Sequence, residues 1–339
     1  MKRTVLHTEH VNLNARMGPF VGFEMPIQYR GILAEHRATR TGCTAFDTCH
    51  MGQLLLTGPS ALTDLERLLT CDVASLEVGR CRYGLLCAED GGVIDDQIVY
   101  RIGTDAFLCV VNAGTRIGDR NWIRDHLSDE TVLEDRSVLL AKIDLQGPKG
   151  VAVLQAVLDN PIPPIGYFRF RYGQFNGEDV MISRTGYTGE QGFELYTTNE
   201  AAVGLWQACL DKGAQPAGLG ARNTLRLEMG YPLYGHELSR ERNAAESGLT
   251  WAFSEKKEFI GAAAVRDPDA APDRLVGLAL KGRRSARREQ AVLDGEGARI
   301  GAITSAGFSP TLNRAIALAY VGKESAAPGT ELSVDAGGT

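Results

Sequence analysis

The sequence lacks long apolar runs and lacks an excess of basic residues. No hydrophobic stretch approaches the roughly 18 residues that a membrane-spanning helix needs. The 36 Lys and Arg residues are outnumbered by 42 Asp and Glu residues, which gives a formal net charge of -6. Because nucleic-acid binding requires a basic face towards the phosphates, we expect neither a membrane protein nor a nucleic-acid-binding protein. Residues 1–17 are too polar to contain the apolar segment of a signal peptide.

Paired cysteines and clustered histidines are also missing. The seven cysteines are odd in number and no two form a C-x-x-C pair, while the six histidines are dispersed along the chain. Disulfide scaffolds and zinc sites both depend on paired or closely spaced ligands. The sequence therefore predicts no disulfide framework, no metal site and a reducing compartment, the cytoplasm.

Common cofactor motifs are absent as well. The chain has no G-x-G-x-x-G after a predicted strand, no phosphate-binding P-loop, no G-x-S-x-G and no H-E-x-x-H. The length of 339 residues, at roughly 150 residues per domain, indicates two or three domains. Its 44% hydrophobic content is ordinary for a globular protein that builds a core without disulfides.

Hydrophobic periodicity and turn residues predict an α+β fold. Three β-type runs separated by short Gly/Asp turns, 83–88, 93–102 and 106–111, indicate an antiparallel meander. A hairpin is predicted over 168–183 around Asn176-Gly177. Helices are predicted near 31–41, 117–127, 151–158, 200–212 and 221–229. After the Pro/Ala/Asp-rich linker 267–273, short β-type runs indicate a small all-β domain.

Two adjacent aspartates stand near the start of a predicted strand. The segment Gly91–Tyr100 reads Gly-Gly-Val-Ile-Asp-Asp-Gln-Ile-Val-Tyr. Because neighbouring strand residues point to opposite faces, one of Asp95 and Asp96 should face inward. One interpretation is a turn whose aspartates merely end the strand. The other is a carboxylate placed for chemistry, since a buried charge requires donors around it.

Four other segments each leave two interpretations open. The Gly-rich loop 184–192 is either a flexible turn or a device that presents Glu194 on a strand. Arg222 and Arg226, four residues apart on a predicted helix, either pair with Glu228 or solvent or bind a ligand. The basic run 281–288 is either a solvated loop or a site for an anionic partner. Trp251 is either a core residue or a stacking surface for a flat ligand.

Taken together, these segments resemble one known family along essentially the whole chain. They include Met25–Tyr29, Phe46-Asp47, His50–Gly52, Gly91–Tyr100, Arg184–Leu195, Gly218–Glu228, Pro232–Leu238 and Thr304–Val321. In this order and spacing they resemble the T-protein, the aminomethyltransferase of the glycine cleavage system. The resemblance implies an α+β cloverleaf of three domains with antiparallel sheets, a barrel-like all-β C-terminal domain and a central folate channel. It places the folate-binding domain at 1–50 plus 140–266, an inserted domain at 51–139 and the third domain at 274–339.

The same resemblance implies an activity and its residues. Members take an aminomethyl group from the dihydrolipoyl arm of the lipoylated H-protein, release ammonia and form 5,10-methylene-tetrahydrofolate; no metal is expected. Asp96 falls on the family's key acidic residue, near N10 of the folate, so we expect it to be catalytic. Glu194 falls on the pterin-binding glutamate and Arg226 on a substrate-binding arginine. The remaining expected folate contacts are Met51, Tyr83, Tyr100, Asn112, Tyr187 and Trp251.

Several positions depart from the family pattern, and two other functions stay open. The usual Asp-x-Ser-His-Met-Gly-Glu is here Asp-Thr-Cys-His-Met-Gly-Gln at 47–53, and the usual Asn-Pro-Ile-Glu is Asn-Ala-Ala-Glu at 243–246. One alternative is a folate-dependent demethylase of the same superfamily, which acts on an N-, O- or S-methyl donor. The other is a non-catalytic folate-binding accessory protein, although the reactive Lys-Gly-Cys-Tyr motif of such relatives is absent.

Overall fold

The computed structural model describes residues 1–335, which divide into two compact units. The first unit comprises Met1–Asp64, Val73–Arg82 and Gln97–Leu225, and the second comprises Leu65–Asp72, Tyr83–Asp96 and the chain from Arg226 onward. The last four residues of the expected third domain, 336–339, lie outside the described residues. The division into three domains remains a prediction.

The chain alternates short helices with strands that are mostly antiparallel. The α-helices are α1 His7–Asn12, α2 Ile32–Thr41, α3 Ala61–Leu68, α4 Arg116–Asp125, α5 Gly150–Val157, α6 Asn199–Asp211, α7 Leu219–Glu228 and α8 Ala262–Arg266. The strands of the first unit's sheets and of the meander are β1 Arg16–Phe20, β2 Phe23–Gln28, β3 Thr44–Asp47, β4 Gly52–Thr57, β5 Cys81–Cys87, β6 Val93–Gly103, β7 Ala106–Val111, β8 Val132–Asp135, β9 Leu140–Gln146, β10 Phe170–Phe175, β11 Glu178–Ser183, β12 Gly192–Thr198 and β13 Gln215–Pro216. The C-terminal strands are β14 Asp273–Ala279, β15 Ala291–Leu293, β16 Arg299–Ser309, β17 Arg314–Gly322 and β18 Ser333–Val334.

The core of the first unit lies between a six-stranded sheet and two helices. The strand order is β10-β11-β12-β9-β3-β13, antiparallel except for the β3–β13 pair. Helices α5 and α6 pack their apolar faces on this sheet, and Trp206 of α6 is fully buried among Leu, Ile and Val side chains. The hydroxyl of Thr198 caps α6 by accepting a hydrogen bond from the backbone N–H of Ala201 at 3.3 Å.

The predicted hairpin and meander are confirmed. Strands β10 and β11 are joined by Asn176 and Gly177 with φ of 51° and 79°, and two consecutive positive φ values are characteristic of a type I′ turn. A second sheet has the strand order β5-β6-β7-β4-β8 and contains the three meander strands as neighbours. Strands β5 and β6 each contribute residues to both units.

The predicted all-β C-terminal region is also confirmed. Strands β14–β18 form a five-stranded sheet in the order β14-β17-β16-β15-β18, and its pairs are antiparallel. Over residues 1–335 the five strands form an open sheet and do not close into a complete barrel. Among the helices of those residues, none is long and apolar enough to cross a membrane.

Candidate active site

The loop before β6 fixes the position of the paired aspartates. Gly91 has a φ of +82°, a conformation that favours glycine, and a Cβ on Gly92 would lie 2.2 Å from the carbonyl oxygen of Arg240. Asp90 accepts two hydrogen bonds from the Arg240 guanidinium at 2.7 and 2.9 Å. The two glycines thus let this loop pass close to the backbone of Arg240, and β6 starts from that fixed position.

Strand alternation separates Asp95 from Asp96. Asp95 is fully buried, whereas Asp96 lies on the opposite face of β6 and is partly exposed. The phenolic hydroxyl of Tyr83 donates a hydrogen bond of 3.0 Å to Oδ2 of Asp96. The expectation that one aspartate faces inward is therefore confirmed, and it is Asp95 that does. Asp96 is the more exposed of the two carboxylates, and Tyr83 orients it.

An exposed aromatic pair adjoins this carboxylate. The rings of Tyr83 and Trp251 lie 5.3 Å apart with an interplanar angle of 30°, and Trp251 is 66% exposed. The interpretation of Trp251 as a core residue is therefore wrong. An indole left in water beside the Asp96 carboxylate offers a flat surface on which a planar ligand can stack.

Arg226 belongs to a buried ion pair in the second unit. Its guanidinium donates to Oε2 of Glu237 at 2.9 Å and to the hydroxyl of Ser305 at 2.7 Å, and its side chain is 1% exposed. A ligand reaches this guanidinium only if these neighbours move. The ligand-binding role of Arg226 stays a prediction. In the structure its guanidinium pairs with the Glu237 carboxylate of the protein itself.

Glu194 lies at the centre of a hydrogen-bonded cluster in the first unit. Its Oε1 accepts a hydrogen bond of 2.7 Å from the ammonium of Lys142. Its Oε2 accepts hydrogen bonds from the hydroxyls of Thr185, Tyr100 and Tyr196 at 2.7, 3.1 and 3.1 Å. Burial, followed by the Glu194 charge, raises the pKa of both tyrosines, so they remain donors. The structure brings Tyr100 and Glu194 together, as expected for residues of one site.

Two charged residues of this cluster, Lys142 and Asp144, were not predicted from the sequence, and neither were the hydroxyl donors Thr185 and Tyr196. Lys142 and Asp144 lie on β9, where they are directly opposite Tyr196 and Glu194 of β12. The alternation of Ala141, Ile143 and Leu145 with polar residues is a strand signal that could have identified them. Burial raises the pKa of Asp144, but the Lys142 and Arg222 cations outweigh this and the net shift is downward.

The two arginines of α7 have separate partners. Arg222 donates to Oδ2 of Asp144 at 2.8 Å, and its guanidinium lies 4.9 Å from the ring centroid of Tyr187. Arg222 therefore joins the Glu194 cluster, and the expected contact residue Tyr187 joins it through a cation–π interaction. Neither arginine is left to solvent, and each pairs with a carboxylate other than the expected Glu228: Arg222 with Asp144 and Arg226 with Glu237.

The remaining expected contact residues lie at the edges of the first unit's core. Met51 is half-buried against a cluster that contains Tyr100 and Tyr196. Asn112 is half-buried after β7, where its carbonyl accepts a hydrogen bond of 3.1 Å from the Thr115 hydroxyl. Within residues 1–335, no three His, Cys, Asp or Glu side chains are grouped so as to hold a metal ion.

A buried histidine in the first unit predicts a pH-dependent stability. Burial lowers the pKa of His50 to about 4, and the ring packs against Phe20 at 5.4 Å. The unfolded chain then binds the proton more readily than the folded protein between pH 6.5 and 4. The contribution of His50 to the unfolding free energy is therefore fully present above pH 6.5. It falls by about 3 kcal/mol as the pH drops towards 4. Urea unfolding at several pH values measures this slope.

A matched histidine serves as the control for this slope. His50→Gln should remove most of the pH dependence between pH 6.5 and 4, whereas His126→Gln, at the end of α4, should leave it. The neighbouring Asp47 has a pKa of about 2 because hydrogen bonds from His10 and Thr4 outweigh the effect of burial, so its own contribution is lost only below about pH 4. An unchanged slope in His50→Gln would contradict the assignment.

Comparison with known proteins gives a consistent result along the chain. Residues 6–257 match the family model described as the GCVT N-terminal domain, and residues 274–339 match the glycine cleavage T-protein C-terminal barrel domain. An aminomethyltransferase of Halothermothrix orenii is 41% identical over 98% of this chain and 95% of its own length. One from Chloroherpeton thalassium is 44% identical over 95% and 91%. The crystal structure of the glycine cleavage system aminomethyltransferase T from Bartonella henselae superposes with a TM-score of 0.94 at 32% identity, over 100% of this chain and 94% of that one.

Proposed function

Because this chain belongs to the aminomethyltransferase (T-protein) family of glycine cleavage enzymes, we propose that it uses tetrahydrofolate and the lipoylated H-protein as its substrates. In this reaction the carbon–sulfur bond to the dihydrolipoyl arm and the carbon–nitrogen bond to the amine break. The methylene carbon bonds to N5 and N10 of tetrahydrofolate, ammonia leaves and the dithiol is restored. The observation that carries the proposal is the accessible Asp96 carboxylate held by Tyr83 beside the exposed Trp251.

Asp96 has the chemistry that this transfer requires. The carbon passes through an iminium-like, positively charged species, which a fixed carboxylate stabilises. The same carboxylate accepts the proton that N10 loses when it bonds to the carbon. The Tyr83 hydroxyl, 3.0 Å from Oδ2, holds the carboxylate in one orientation.

Glu194 has the chemistry that a pterin requires. A pterin presents adjacent N–H donors on one edge, and a carboxylate accepts such donors with strong, charge-assisted hydrogen bonds. We assign Met51, Tyr100, Asn112 and Tyr187 to the lining of this binding site. Arg226 and the basic run 281–288 are assigned to the anionic glutamate tail. Every arginine of that run is exposed, and Arg288 is anchored by a 2.8 Å hydrogen bond to the carbonyl of Gly235.

Removal of the exposed indole should weaken folate binding without destabilising the protein. Trp251→Ala is expected to raise the Kd for tetrahydrofolate by about tenfold, since stacking on an aromatic ring contributes about 1–3 kcal/mol. Its unfolding free energy should stay within about 0.5 kcal/mol because the side chain is already in water. Fluorescence titration measures the Kd. Tyr172→Ala, at a 56% exposed aromatic of the first unit, should bind like the wild type.

The proposed reaction is tested with its own substrates. Aminomethyl-loaded H-protein and tetrahydrofolate, incubated with the enzyme, should give equal amounts of ammonia and 5,10-methylene-tetrahydrofolate. Folate binding without ammonia release, together with turnover of an N-, O- or S-methyl donor, would instead identify a demethylase. Folate binding with no one-carbon transfer from any of these donors would support the accessory-protein alternative. Cytoplasmic location remains a prediction from the sequence.

A further inference from the structure

Two buried carboxylates face each other across neighbouring strands. In the register of β9 and β12, Asp144 lies directly opposite Glu194 on the same face of the sheet. Asp144 is fully buried and Glu194 is 5% exposed. Like charges at directly opposite positions destabilise a sheet, and burial increases the penalty. Both groups can therefore be ionised only if a cation lies between them.

Lys142 supplies that cation. Its Nζ lies 2.6 Å from Oδ1 of Asp144 and 2.7 Å from Oε1 of Glu194, and its side chain is 1% exposed. Arg222 neutralises the other oxygen of Asp144 at 2.8 Å. Two anions and two cations thus form a neutral group.

The hydrogen bonds of Glu194 show which oxygen is open to a ligand. Three hydroxyl donors, from Thr185, Tyr100 and Tyr196, already contact Oε2. Oε1 receives the Lys142 ammonium and has capacity for one further donor. We propose that Lys142 is a positioning residue that keeps Glu194 ionised and directs its Oε1 to the N–H edge of the pterin. This inference rests on the proposed use of tetrahydrofolate.

Loss of Lys142 should protonate Glu194 in preference to Asp144. Asp144 would still contact Arg222 and the hydroxyl of Thr48, whereas Glu194 would have no cation at hydrogen-bond distance. The neighbouring groups Tyr100, Tyr196, Cys81 and His50 stay neutral over the pH range of the test, so they do not replace the lost Lys142 charge. Burial raises the pKa of Tyr100, Tyr196 and Cys81 and lowers that of His50 to about 4.

The test is the pH dependence of tetrahydrofolate binding in Lys142→Met. At pH 7 we expect the Kd, and the KM for tetrahydrofolate, to rise about ten- to a hundredfold, because a charge-assisted hydrogen bond is lost. Binding should strengthen again towards pH 9 as Glu194 ionises, while the wild type stays constant between pH 6 and 9. The turnover at saturating tetrahydrofolate should change by less than about threefold, because Lys142 does not contact the reacting carbon.

A second substitution separates charge from packing. In Lys142→Met/Asp144→Asn one cation and one anion are removed together, so the cluster is again neutral. We expect this variant to recover most of the affinity and to lose the pH dependence of the single variant. Lys142→Arg, which keeps the charge, should also bind independently of pH. If Lys142→Met does not fold, the pH dependence of tetrahydrofolate binding in the double variant and in Lys142→Arg is compared with that of the wild type.

Defined outcomes overturn the inference. The inference is overturned if folded Lys142→Met binds tetrahydrofolate with wild-type affinity at all pH values. It is also overturned if the double variant binds tetrahydrofolate as weakly as the single variant, or weakly at every pH. A wild-type protein that does not bind tetrahydrofolate would instead refute the proposed function. The two failures are therefore distinguishable.

Discussion

Asp96→Asn is expected to reduce aminomethyl transfer by about 10²–10⁴-fold, the range of a lost general acid–base group. The neutral amide cannot accept the N10 proton and no longer stabilises the positively charged carbon. It preserves the side-chain shape and the hydrogen bond from Tyr83, so the Kd for tetrahydrofolate should change by less than about threefold. Single-turnover release of ammonia from loaded H-protein measures the rate.

A neighbouring aspartate provides the control for this variant. Asp90→Asn changes a carboxylate in the loop before β6 that pairs with Arg240 at the surface, where both side chains are about half or more exposed. Exposed ion pairs contribute little to stability, and we expect wild-type turnover. If Asp96→Asn turned over at the wild-type rate, its catalytic role would be excluded.

Glu194→Gln is expected to have the largest effect on folate affinity. The amide has only one acceptor oxygen, so its oxygen cannot accept from both Lys142 and the hydroxyl donors that now contact the carboxylate. The charge that attracts the pterin donors is also lost, and the Kd should rise about a hundredfold. Because a buried ammonium loses one of its two carboxylates, we also expect a loss of about 1–3 kcal/mol in unfolding free energy.

Calorimetric titration with tetrahydrofolate and urea unfolding test both parts of this prediction. The matched control is Glu190→Gln, in the Gly-rich loop before β12, whose carboxylate pairs with the partly exposed Arg40. This variant should bind tetrahydrofolate as the wild type does. Wild-type affinity in Glu194→Gln would show that the pterin does not use this carboxylate.

Local features of the fold were predictable because they depend on neighbours in sequence. Asn176-Gly177 adopts the positive φ values that a two-residue hairpin turn requires, and this preference is a property of the two residues alone. The meander follows from β-type runs of suitable length separated by Gly and Asp. Alternation along β6 similarly separates Asp95 from Asp96 once the strand is recognised.

Features that depend on distant contacts were not predictable in this way. The exposure of Trp251 is decided by what packs around it, and an indole in an apolar segment is more often buried. The partners of Arg222 and Arg226 differ although both lie on α7 at helical spacing. Nothing within a helix of ten residues specifies which carboxylate each guanidinium meets.

The sequence by itself determined the family, the α+β class and the identity of the candidate carboxylates, since ordered motifs and residue periodicity are encoded locally. Only the tertiary structure decided the charge environment of Glu194. Lys142 and Glu194 are separated by 52 positions in the chain, and their side chains meet because β9 and β12 pair in one register. A shift of one residue would turn these side chains to the other face of the sheet, so the register, a property of the folded chain, creates the cluster.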